Sequence, residues 1–197
     1  LGCDAIAILP EGMSQERFDW LNSIAGEVIA TPGCESNVKE IFDKTWELRR
    51  TRDNVVIFNQ FDEMGNHLWH YSVTGPAIEE AVAAVGGRLA AACFTSGSAG
   101  TLGAGDYLKE LFPQMKLAVG EALQCPTLLN NGYGDHRIEG IGDKHVPWIH
   151  NVKNTDMVIA IDDEDSQSLL RLFNDETGRA YLAQEAGVDR SLVDQLD

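Results

Sequence analysis

Residues 89–111, LAAACFTSGSAGTLGAGDYLKEL, run from an apolar stretch through a turn of small and hydroxylic residues into a helical pattern; the turn reads Thr95-Ser96-Gly97-Ser98-Ala99-Gly100-Thr101. The chemistry open to such a turn is anion binding. Glycine and alanine let the backbone come close, hydroxyls add donors, and the first amides of the following helix point at the ligand. A cofactor or substrate carrying a phosphoryl group is the expected occupant. The bland reading is a tight turn, with Gly103 and Gly105 letting the helix lie close to a sheet. No Gly-Lys-Ser/Thr follows and G-x-G-x-x-G is absent, so a nucleotide hydrolase and a dinucleotide-binding domain both lose ground.

Other groups are weaker candidates. His67 and His70 flank Trp69 at i,i+3 without a third ligand beside them, which points to a surface or interface pair rather than a metal site. His136, His145 and His150 fall in residues 130–154, a Gly-, His- and Pro-rich loop long enough to be functional, with plain loop roles favoured over substrate gating. Glu121, just after an expected strand, is a weak candidate facing the same side as the turn. A Ser-His-Asp hydrolase lacks its G-x-S-x-G elbow. Cys3, Cys34, Cys93 and Cys125 are far apart with no C-x-x-C, as in free thiols of a cytoplasmic protein.

Strand and helix patterns alternate along the chain. Strands are expected at residues 4–9, 27–30, 55–58, 89–95, 116–119 and 156–161. Helices are expected after Ser14, after Ser36 to about residue 50, from Pro76 to Gly86-Gly87, after the turn, at 166–177 and at 189–196. Glu40 and Lys44 are spaced to pair across one helical turn. Repeated strand–helix units imply a mostly parallel sheet whose ligands bind beyond the carboxyl ends of the strands, where Gln60, the Gly97 turn and Glu121 fall.

At 197 residues the chain can bury a sizeable core. Its formal charge of −16, from 31 acidic and 15 basic residues, argues against a nucleic-acid partner but not against a small phosphate held by backbone amides. No apolar run approaches the ~20 residues of a membrane span. Leu1-Gly2-Cys3 has no initiator Met and leads at once into a strand, so the expectation is a piece of something longer.

Four segments occur together in a familiar order. They are Leu9-Pro-Glu-Gly-Met-Ser-Gln-Glu-Arg17; Asn59-Gln-Phe61 with Thr74-Gly-Pro-Ala-Ile-Glu79; Gly97-Ser-Ala-Gly-Thr-Leu102; and Ile138-Glu-Gly-Ile-Gly142 with Val146-Pro147. The chain thereby resembles the fold-type II pyridoxal phosphate enzymes, most closely the cysteine synthase (O-acetylserine sulfhydrylase) family, over about residues 4–177. The family patterns are P-E-x-M-S-x-E-R, Q-F…T-G-P-E-I-W, the phosphate loop G-T-G-G-T-L/I, and I-x-G-I-G…I/V-P.

The resemblance implies a tryptophan-synthase-beta-like, three-layer α/β/α fold with mostly parallel sheets, incomplete here: residues 1–73 as part of the smaller domain and 74–197 as the larger. It implies that Gly97, Ser98, Ala99, Gly100 and Thr101 hold the phosphate of pyridoxal 5'-phosphate, that Gln60 faces the substrate carboxylate, and that Gly140, Ile141 and Gly142 line the cofactor ring or its entrance. Ser98 and Ala99 replace the family's Thr and Gly. The implied activity is β-elimination and β-replacement on an activated serine, in a cytoplasmic homodimer of amino-acid metabolism.

The family's Schiff-base lysine and its Ser/Thr-x-Gly-Asn-x-Gly loop find no match, nor does the serine that meets the pyridine nitrogen. The six lysines, at 39, 44, 109, 116, 144 and 153, lie outside the matching context. The chain alone is therefore expected to be catalytically inactive. Alternatives are a non-catalytic phosphate-ligand-binding pseudoenzyme and a threonine/serine dehydratase-like lyase.

Overall fold

The computed structural model describes residues 2–34 and 37–196. Residues 1–160 and 161–197 form two compact units.

In the first unit, strand β1 (Ile6–Pro10) pairs in parallel with β2 (Glu27–Thr31), Ile8 opposite Ile29, and the helix α1 (Gln15–Ile24) makes the crossover. Helix α2 (Val38–Thr51) packs on both strands, burying Val38 and Leu48. Its far end is tied to β2 by a two-pronged ion pair, Arg52 to Glu27 at 2.6 and 2.9 Å. That pair holds the Glu27 carboxyl below its usual range, chiefly through the Arg52 hydrogen bond.

A second sheet has the order β3 (Ala91–Thr95), β4 (Lys116–Ala122), β5 (Met157–Ile161), with β3 and β4 parallel. Its central strand β4 is buried almost throughout, and Leu117 and Val119 are core residues. As an edge strand, β3 alternates instead: Ala92 and Phe94 pack inward while Cys93 is exposed, so the continuous apolar run is covered on one face only. Between the sheets in sequence come α3 (Met64–Trp69), a π-turn (His70–Thr74), α4 (Gly75–Ala84) with Pro76 in its first turn, and, after β3, α5 (Leu102–Leu111). Short α6 (Thr127–Asn130) follows β4.

The second unit is helical. It holds α7 (Asp163–Asn174), α8 (Glu176–Gln184) and α9 (Arg190–Val193), each with an aspartate accepting from a first-turn amide: Asp162, Asp175 and Asp189.

Several expectations are corrected. Residues 55–58 are not a strand: Val56 and Phe58 are largely exposed, and no ladder partner reaches them among the described residues. Apolar β-branched residues favour a strand, but a strand exists only where another backbone is present to pair. Residues 64–84 form a nearly continuous helical segment through α3 and the π-turn to α4. The helix expected at 166–177 is two helices, and Leu169 and Leu170 on the first of them are exposed. Lys44 turns to Glu47 (2.6 Å), leaving Glu40 Oε2 buried and unpaired among the described residues. Ser14 occupies its cap position without a side-chain bond, and Ser36 lies outside the described residues.

Candidate anion and cofactor site

β3 delivers the chain to the turn and β4 anchors it there. Ser96 N–H donates to the Gly120 carbonyl at 3.2 Å, and the Ser96 carbonyl accepts from Gly142 N–H at 3.3 Å. From there to the start of α5, the amides of Gly97, Ser98, Ala99, Gly100 and Thr101 have no acceptor among the described residues; the next, Leu102 N–H, bonds to the Ala99 carbonyl at 3.2 Å. Five consecutive amides without an acceptor, leading into a helix, are donors of the kind an anion takes.

The turn holds its shape in three ways. Ala99 sits at φ 66°, the left-handed region, with its methyl buried among Leu102, Val119 and Ile149. Burial of that methyl offsets a backbone cost of roughly 1–2 kcal/mol. Thr101 turns its hydroxyl back to the Thr95 carbonyl (3.3 Å), leaving its amide for a ligand. Gly97 lies so close to residues 140–141 that a Cβ on it would meet the Gly140 carbonyl oxygen at 2.9 Å.

The structure therefore brings residues 97–101 and 140–142 together, though they are some forty positions apart in sequence. Gly140 and Gly142 adopt φ of 87° and 92°, and Ile141 is buried with Ala122 and Cys125. Glu139 anchors this segment from the other side, accepting from Ser14 N–H at 2.9 Å and pairing with Arg17 at 2.9 Å. Gln60, on the loop before α3, has an exposed side chain. It is joined to the turn indirectly, since Asn66 Nδ2 donates both to the Gln60 carbonyl (2.9 Å) and to Ser98 Oγ (3.1 Å).

Glu121 does not face the turn as a free carboxylate. Both its oxygens accept α6 amides, from Leu128 and Leu129 at 2.9 Å each, so it holds the bend after β4. Nor are the two histidines around Trp69 a surface pair. His67 is buried, with Nε2 3.6 Å from Asp106 Oδ2, while Asp106 also accepts from Asn154 (2.6 Å) and Asn151 (3.3 Å). This polar knot ties residues 151–154 to α5. His70 Nδ1 meets Thr74 Oγ1 at 2.9 Å. No cluster of His, Cys, Asp or Glu suited to a metal occurs among the described residues, and the four cysteines are free thiols.

Asp143 follows the Gly140–Gly142 segment and is almost fully buried. One oxygen meets His145 Nδ1 at 3.1 Å; Oδ2 has no partner among the described residues. Burial pushes this carboxyl up to about 6, against the opposing pull of His145. Sequence reasoning passed over Asp143, Asn66 and Asp106. Asn66 carried a signal, sitting between the quoted Q-F and T-G-P runs, but its partners come from folding.

Five free amides, a hydroxyl and a backbone made narrow by glycine fit a phosphate monoester without any basic side chain. Five of the six lysines have partners of their own: Lys39 pairs with Asp43, Lys44 with Glu47, Lys109 and Lys116 with Asp156, and Lys144 lies 5.0 Å over the Tyr133 ring; the sixth, Lys153, is exposed.

Comparison with known proteins agrees with this chemistry. The family model described as pyridoxal-phosphate dependent enzyme matches residues 1–185. A probable cysteine synthase of Bacillus subtilis is 35% identical over 90% of this chain and 57% of its own length. Among solved structures, a hydrogen sulfide-producing enzyme from Fusobacterium nucleatum superposes with a TM-score of 0.75 at 28% identity, covering 85% of this chain and 52% of that one. An O-acetylserine dependent cystathionine beta-synthase from Helicobacter pylori gives 0.70 at 26% identity, covering 92% and 55%. The chain spans about half the length of the relatives it matches. It belongs to the pyridoxal-phosphate dependent enzymes, with the cysteine-synthase-like, fold-type II α/β architecture, and pyridoxal phosphate is that family's cofactor.

Proposed function

We propose that these residues form the phosphate-binding side of a pyridoxal phosphate site in an enzyme carrying out β-elimination and β-replacement on an activated serine, cysteine-synthase-like, in a cytoplasmic homodimer. The observation that carries the reading is the run of five amides, residues 97–101, without an acceptor among the described residues, at a turn whose Gly97 packs against Gly140 and Ile141. Bound there, the cofactor supplies an electron sink for the amino-acid substrate.

The chain's own residues bind and orient. The amides of residues 97–101 take the phosphate oxygens, and the positive end of α5 adds a favourable field. Ser98 Oγ supplies one more donor, while Gly140, Ile141 and Gly142 form a wall beside it. Gln60 offers its exposed carboxamide to the carboxylate of the substrate. Ile141 is held in that wall by burial against Ala122 and Cys125.

A second reading, a phosphate-ligand-binding chain that performs no catalysis by itself, is favoured by five of the six lysines having partners of their own. Calorimetric titration of the chain with pyridoxal phosphate and with inorganic phosphate tests the site. Binding of both is expected. Gly97→Ala, whose methyl would strike the Gly140 carbonyl, should weaken both at least tenfold. Borohydride treatment of the loaded chain should fix no pyridoxyl group on any lysine. Undiminished binding by Gly97→Ala would remove the turn from the site, and a modified lysine of this chain would overturn the expectation of inactivity.

A further inference from the structure

We infer that Asn66 is a positioning residue of the anion turn: its carboxamide fixes the Ser98 hydroxyl as a donor and joins the turn to the backbone of Gln60. This inference rests on the phosphate reading of residues 97–101 and concerns how that site is preset.

The geometry decides which way the carboxamide faces. Asn66 Nδ2 is 2.9 Å from the Gln60 carbonyl oxygen and 3.1 Å from Ser98 Oγ. Oxygen and nitrogen of an amide are told apart by their partners, and a backbone carbonyl can only accept. The end facing Gln60 must therefore be the NH₂, whose second proton goes to Ser98. Asn66 Oδ1 lies on the Gly100 side, 2.1 Å from where a Cβ on that residue would stand, so only glycine at 100 admits the carboxamide.

The consequence falls on Ser98. A hydroxyl has one proton and two lone pairs and can face a ligand as donor or acceptor. With a lone pair occupied by the Asn66 N–H, the Ser98 O–H turns outward as a donor, and it has no other acceptor among the described residues. A donor aimed in advance at an anion costs no reorientation on binding. Because Asn66 belongs to α3, which packs on α5, the hydroxyl is set by the same helix pair that carries the turn.

The link is also a route between the two halves of the site. Gln60 and Ser98 are separated by 38 positions, yet one carboxamide touches both segments. A phosphate on the turn would tighten the Ser98 bond, and through Asn66 it would hold the Gln60 backbone in place.

A binding cycle tests this with inorganic phosphate as the probe and pyridoxal phosphate as the second. Ser98→Ala should weaken binding about tenfold, the scale of one hydrogen bond to a charged group. Asn66→Ala should weaken it severalfold, and the double variant should be no weaker than the worse single one. Multiplying losses in the double variant, or unchanged affinity in Asn66→Ala, would overturn the role of Asn66 while leaving the turn as the site. Failure of the unaltered chain to bind either probe would overturn both. If Asn66→Ala does not fold, Asn66→Asp of the same size replaces it. Its carboxylate takes the Ser98 proton, so adding Ser98→Ala should cost nothing more; a further tenfold loss there would defeat the inference.

Discussion

Asp143 shows how one buried carboxyl shapes the behaviour of the region beside the turn. Its pKa is pushed up to about 6 by burial, so between about pH 4 and 6 the folded chain holds a proton that the unfolded chain has released. Its contribution to stability therefore falls as pH rises through that window and is flat above it. Asp143→Asn removes the buried charge. It should stabilise the chain at pH 7.5 by about 2 kcal/mol and flatten the slope between pH 4 and 6, read by urea unfolding at a series of pH values. Asp156 has the opposite sign. Hydrogen bonding to Lys109 holds its carboxyl well below the usual range, so its contribution is complete above about pH 4 and is lost in stronger acid.

At the scale of elements, the crossing of α3 and the π-turn over α5 positions the turn. A Cβ on Gly103 would stand 2.3 Å from the His67 carbonyl oxygen, backbone that cannot move aside without shifting α3. Rings continue the contact: His67 stacks on Tyr71, and Tyr71 meets Tyr107 edge-on at 5.5 Å, with hydroxyls donating to Glu110 and Glu79. Gly103→Ala should destabilise the chain by about 2 kcal/mol, within the range for overpacking, and weaken phosphate binding as well, because Asn66 rides on the displaced helix. Calorimetric unfolding and phosphate titration on one sample would read both; loss of stability with unchanged affinity would separate the crossing from the site.

For the whole molecule, the formal charge of −16 is the dominant fact. Self-repulsion of this size weakens a compact state, and salt screens it over about 10 Å at 0.1 M. Raising sodium chloride from 10 to about 300 mM should raise the melting temperature by a few degrees. A melting temperature that falls over that range would mean that screened ion pairs such as Arg52–Glu27 and Lys109–Asp156 outweigh the repulsion. Among the described residues no helix is long and apolar enough to cross a membrane.

The sequence by itself determined the turn at 97–101, the strands on either side of α1 and α5, and the family, because glycine spacing and strand–helix alternation are local properties that backbone sterics translate directly. Only the tertiary structure decided that residues 55–58 are no strand, that Glu121 is consumed by α6, that His67 is buried against Asp106, and that one asparagine joins Gln60 to Ser98. Each depends on partners distant in sequence: pairing, burial and hydrogen-bond direction belong to two groups at once, and a linear pattern names only one of them.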